Sequence, residues 1–230
     1  MEYISLMEPI ETPSEMVDDF YAIINNSDVH AFITKFNQNP KPGLIMSRFD
    51  YFLDHIIGIG DLPTMKILVE NFSFDVRYKN NLAIRICAGT NHNEMMKYFI
   101  QQGANVNPYP PNSQFSLLGK VLSINPSYSM LKLLFDSGAD ANSGCGSVFA
   151  CVCGMTIELV KLFIENGADV KNNEQAFINA VDFQRLDIVQ LLIDHGADVR
   201  MQNNAVIKLA HEKNNPELIK LLVKNSVSIQ

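Results

Sequence analysis

Leu159–Val170 reads LVKLFIENGADV, and Ile188–Val199 reads IVQLLIDHGADV. The apolar side chains in each stretch recur at i, i+3 and i+4, which gives a helix one broad face to bury. A glycine then ends the helix, because the residue just past a helix terminus commonly takes a positive φ that only glycine adopts without a Cβ clash. The Asp that follows suits a turn, where its carboxylate accepts from nearby backbone amides.

The same pattern recurs along the chain. Gly-Ala-Asp or Gly-Ala-Asn begins at Gly103, Gly138, Gly167 and Gly196, at steps of 35, 29 and 29 residues. Each copy follows an apolar run, over Met95–Gln102, Met130–Ser137, Leu159–Asn166 and Ile188–His195. Leu218–Asn225 continues the register without the closing glycine. Thr64–Asn71 precedes Phe72-Ser73-Phe74-Asp75, with one extra residue. Lys97, Lys132, Lys161, Gln190 and Lys220 hold one position in their runs and are expected to reach solvent. A second helix is predicted ahead of each run, as in Ala83–Thr90, Ala176–Phe183 and Ala205–Glu212. Cys87, Cys151, Ala180 and Ala210 form a column of small residues there, placed for close helix packing. One such helix pair cannot bury its own apolar face, but stacked pairs can.

Composition narrows the function. The formal charge of −7 disfavours a nucleic-acid partner, which requires a basic face, and disfavours an anionic membrane surface. No apolar stretch approaches the roughly 18 residues of a membrane span. The opening residues 1–15 carry four glutamates and neither a basic n-region nor an apolar h-region, so they read as an acidic arm rather than a secretory leader. Cys87, Cys145, Cys151 and Cys153 then read as reduced thiols of a cytoplasmic or nuclear protein. Their spacing fits no zinc pattern. No phosphate loop, His-Glu-x-x-His or Gly-x-Ser-x-Gly is present, so neither cofactor, metal nor catalytic residues are expected. His92 and His195 read as solvated surface histidines. Asp50, Asp54, His55 and Asp61 form the one polar cluster that could hide an enzyme in the irregular first third.

The helix pair closed by Gly-Ala-Asp-Val resembles the ankyrin repeat, most clearly at Leu159–Val170 and Ile188–Val199. The resemblance implies an all-α, ankyrin-type helical solenoid of about six to seven helix-turn-helix units over residues 16–230, with residues 16–43 as an N-terminal capping pair. It also implies one continuous core. The ankyrin unit usually runs about 33 residues. Steps of 29 shorten the β-hairpin fingers to turns, and the Thr-Pro-Leu-His opening is missing. Shortened units of this kind look like those of ankyrin families encoded by giant DNA viruses. Asn39–Gly43 reads as a turn or linker. Asn107-Pro108-Tyr109-Pro110-Pro111-Asn112, with three prolines, reads as an extended, protruding loop.

The resemblance implies a protein-interaction module or adaptor, here a host-directed viral factor, that binds through its concave first helices and finger tips. The matching positions are Arg77, Tyr78, Lys79, Arg85, Tyr109, Asn112, Lys120, Lys171, Asn172, Arg200 and Lys208. Tyrosine and arginine often carry interface energy. The partner is an unidentified protein and the oligomeric state is left open. A self-assembling structural protein is the alternative, and an enzyme is not expected.

Overall fold

The computed structural model describes residues 42–110, 113–124 and 126–227, together with residues 28, 30, 31 and 34. The proposed acidic arm and most of the 16–43 capping pair lie outside the described residues, as does Asn112. Among the described residues the fold is all-α, with twelve helices in six pairs and no strand. Two compact units divide the chain, at Asn105 and Val106.

The first unit holds α1 (Pro42–Gly58), α2 (Leu62–Phe72), α3 (Tyr78–Cys87) and α4 (Asn93–Gln101). Pro42 and Gly43 belong to α1, not to a linker. Proline is tolerated in a first helical turn, where its missing N–H is not needed. Asp61 caps α2 by accepting from the Thr64 amide at 3.1 Å. Ser73 takes the place of the helix-ending glycine with φ +54°, and the Phe74 amide returns to the Leu68 carbonyl. Lys79, Asn80 and Asn81 all take positive φ before α3 winds right-handed. Asn81 is buried there and its Oδ1 accepts from the Asn105 amide at 2.8 Å.

The second unit holds α5 (Leu117–Ile124), α6 (Tyr128–Asp136), α7 (Ser147–Val152), α8 (Ile157–Glu165), α9 (Glu174–Asp182), α10 (Leu186–Asp194), α11 (Met201–Glu212) and α12 (Pro216–Val227). First helices stack on first helices, in the order α5, α7, α9, α11, and the second helices α8, α10 and α12 stack likewise. That is the helical repeat solenoid expected from the pattern. Its core is apolar and aromatic: Phe163 is fully buried, edge-on to Phe135 at 4.9 Å and stacked with Phe149 at 6.1 Å between centroids. Such ring pairs add roughly 0.5–1.5 kcal/mol beyond the area they bury.

All four marked glycines are left-handed, with φ between +87° and +94°. In each copy the alanine amide after the glycine returns to a carbonyl five residues back, as Ala168 does to Phe163 at 3.0 Å. That is the closure expected past a helix end. The alanine is thereby turned inward and buried, which explains why it is alanine. The aspartate then accepts from the amide two or three residues on, as Asp140 does from Asn142 and Asp169 from Asn172.

Two packing expectations are corrected, and the phase of α10 is resolved. Cys151 is exposed, and Val152 takes the buried place beside Cys87, Ala180 and Ala210, because α7 sits one residue further along than the small-residue column assumed. In α10 the deeply buried leucine is Leu192, whereas Leu191 is only half-buried. The segment after Val106 does not protrude over residues 106–109. Val106 and Pro108 are buried, and Asn107 is fastened to the next repeat.

Candidate functional site

Successive repeats of the second unit are joined by an asparagine bracket. Asn142 donates from Nδ2 to the Gly167 carbonyl at 2.9 Å and accepts at Oδ1 from the Asp169 amide at 2.8 Å. Asn107 does the same toward Gly138 and Asp140, at 2.9 and 3.0 Å. Both stand four residues after their own glycine. The same position is Lys171 in the next copy, Arg200 in the last, and Arg77 after Ser73. Sequence reading missed the bracket because only two of the four Gly-Ala copies carry asparagine there.

Two of the predicted partner-binding residues, Lys171 and Arg200, therefore hold this position in the second unit, whereas in the first unit Asn81 rather than Arg77 accepts from the corresponding amide, that of Asn105. Arg77 turns back on Asp75 and Arg200 on Asp198, at 3.0 and 3.4 Å. The guanidinium beside Asp75 holds that carboxyl below the usual aspartate range, first through the side-chain hydrogen bond. The Lys171 aliphatic chain lies over Gly196, where an added Cβ would come within 2.8 Å of it. Lys79 pairs with Asp50 at 2.6 Å, and that hydrogen bond raises the lysine above its ordinary value. Tyr78 is half-buried in an edge-to-face set with Phe49 and Phe74. Arg85 is half-buried on α3, Asn172 is bonded to Asp169, and Lys208 is exposed on α11.

Tyr109 and Lys120 are brought together. Both line a cleft of about 450 Å³ formed by α5, α7 and the segment ahead of α5, with Phe115, Gly119, Leu122, Val148, Cys151 and Met155 among its other walls. Tyr109 and Phe115 face each other at 6.1 Å between ring centroids, and both also line a second hollow of about 300 Å³ with Pro108 and Pro110. Phe115 is 70% exposed. An exposed phenylalanine beside a mostly apolar hollow is the kind of surface that marks a contact site. Sequence reading passed over Phe115 because it sits just before α5 and reads as the first core residue of that helix. The polar residues flanking it, Ser113, Gln114 and Ser116, were the available signal.

His92 is not a solvated surface residue. It is half-buried, its Nε2 lies 2.9 Å from the Gly58 carbonyl, and its ring packs on Gly60 so closely that a Cβ there would come within 2.7 Å. Arg185 makes the matching link in the second unit, from Nη1 to the Met155 carbonyl, while its other nitrogens hold Asp187 at 2.9 and 3.2 Å. His195 is exposed.

The four polar residues of the first unit have separate surroundings. Asp50 faces Lys79, Asp61 caps α2, Asp54 is exposed, and His55 has a buried Nε2 without a partner. Among the described residues no three of His, Cys, Asp or Glu converge to hold a metal ion, and no helix is long and apolar enough to cross a membrane. None of the four cysteines forms a disulfide, and burial pushes Cys87 and Cys153 up to about 12.

The residues from α7 onward, with their left-handed glycines and stacked pairs, also match a known family. Residues 147–230 match ankyrin repeats, in three copies. The match spans the three pairs from α7 to α12. A search of curated proteins finds no relative of the chain. Ankyrin repeats are general protein-interaction modules and are typically not enzymes. The cleft of Tyr109, Phe115 and Lys120 is built by α5 and α7, so it straddles the start of the matched ankyrin repeats.

Proposed function

We propose that the chain is a protein-binding adaptor whose partner is received on the first-helix side of the second unit, in the cleft between α5 and α7. One observation carries this reading. Phe115 stands 70% exposed, paired with Tyr109, beside a hollow large enough for one or two bulky side chains. Interfaces concentrate their energy in aromatic anchors packed into such hollows, surrounded by contacts that exclude water. The shortened 29-residue steps support the further reading of a host-directed viral factor. Lys120 and Tyr109 remain the contact residues of choice among those expected from sequence.

The test is affinity capture from cell extract with the full chain and with Phe115→Ala. A partner retained by the wild type and lost by the variant is expected, with unchanged circular dichroism. Equal recovery by both overturns the placement of the surface. Concentration-dependent growth in light scattering, with no partner retained, would favour the self-assembling scaffold instead.

A further inference from the structure

Among the described residues Lys120 is the single charged one lining the α5–α7 cleft, and no carboxylate lines it. Four other cations of the second unit pair with aspartates: Lys132 with Asp136, Arg185 with Asp187, Arg200 with Asp198 and Lys213 with Asp182. Among the described residues no acidic group pairs with Lys120, although the chain as a whole carries seven excess negative charges. Lys120 is half-buried and lines the cleft together with the apolar Phe115, Leu122 and Met155. A lysine on the wall of an otherwise uncharged cleft attracts a carboxylate that enters it.

Resting on the proposed function, we infer that the cleft recognises a peptide segment that carries a large apolar side chain next to an aspartate or glutamate. The apolar side chain fills the hollow against Phe115, Leu122 and Met155. The carboxylate meets the Lys120 ammonium and supplies the counter-charge that the described residues do not provide. Charge complementarity of this kind fixes register and discriminates against basic competitors more than it adds raw affinity.

The experiment uses the full chain and three blocked, fluorescein-labelled peptides with a common Leu-Phe centre, followed by Asp-Glu, Asn-Gln or Lys-Lys. Binding is read by fluorescence anisotropy. The acidic peptide is expected to bind about fivefold tighter than the neutral one, the basic peptide weakest, with the differences shrinking as salt rises. Lys120→Glu should reverse the order, while Phe115→Ala should weaken all three. Circular dichroism confirms that both variants remain folded. Binding that depends on Phe115 but ignores peptide charge, or keeps its charge order in Lys120→Glu, overturns the inference and leaves the surface intact. Binding indifferent to Phe115 overturns both. No response from the acidic peptide up to about 1 mM also overturns the inference, since that corresponds to an affinity too weak for a recognition site.

Discussion

Replacing Asn142 by alanine removes both arms of one bracket between consecutive repeats. The lost bonds are the donation to the Gly167 carbonyl at 2.9 Å and the acceptance from the Asp169 amide at 2.8 Å. An intramolecular hydrogen bond contributes a net of roughly 0.5–1.5 kcal/mol, so the pair is worth about 1–3 kcal/mol. Asn142 is exposed, and water can satisfy the two backbone groups left behind, which places the expected loss at about 1–2 kcal/mol. In a chain of this size that lowers the melting temperature by about 2–4 °C per kcal/mol. Because the bond joins neighbouring repeats, the loss belongs to their interface rather than to either repeat alone. Urea unfolding followed by circular dichroism gives the global value, and hydrogen exchange at the Asp169 amide gives the local one. The reciprocal change, Lys171→Asn, places the same side chain opposite the Gly196 carbonyl and the Asp198 amide. It is expected to stabilise the next seam by up to about 1 kcal/mol, partly offset by losing the lysine stem over Gly196. A change under about 0.3 kcal/mol in Asn142→Ala, with unaltered exchange at Asp169, would refute the bracket as a source of stability.

Leu192→Ala should cost about 2–5 kcal/mol in urea unfolding, and Leu191→Ala clearly less, since only Leu192 is fully enclosed; equal losses would contradict the packing of α10. A thiol reagent at pH 8 should modify Cys145 and Cys151 quickly and leave Cys87 and Cys153 protected by burial, so two fast equivalents are expected and four would be wrong. The Arg185 hydrogen bonds hold the Asp187 carboxyl below its ordinary value, so the contact stabilises the fold above the usual aspartate range and is lost as pH falls through the lowered value. Asp187→Asn should therefore lose less stability than the wild type between about pH 5 and pH 2, as read from urea midpoints, and parallel losses would argue against the pairing.

The repeats were legible because their signal is redundant. Gly103, Gly138, Gly167 and Gly196 each end an apolar run, and each takes the positive φ that the pattern requires. The buried methionines Met95 and Met96 fall where the helical period puts them. Finer features were not legible, for physical reasons. Leu191, Leu192 and Ile193 are consecutive apolar residues, so periodicity alone does not separate the enclosed one from its neighbours. Cys151 and Val152 differ by one step along a six-residue helix, too short to set its own phase. The bracket at Asn107 and Asn142 depends on where the next repeat's Gly and Asp lie in space, which no local pattern encodes. His92 and Arg185 likewise reach carbonyls 34 and 30 residues away. Of the contact residues expected from sequence, the charged tips Arg77, Arg200 and Lys79 are engaged by aspartates of the chain itself, whereas Tyr109 and Lys120 converge on a cleft.

The most direct measurement is a calorimetric titration of the captured partner, once purified, against the full chain, Phe115→Asp and Val223→Asp. Val223 is a control because it is exposed and apolar but lies on α12, away from the cleft-lining residues. A partner surface centred on Phe115 predicts saturable binding that weakens by at least about tenfold, or about 1.4 kcal/mol, in Phe115→Asp and is unchanged in Val223→Asp. Equal affinity for the wild type and Phe115→Asp would contradict it.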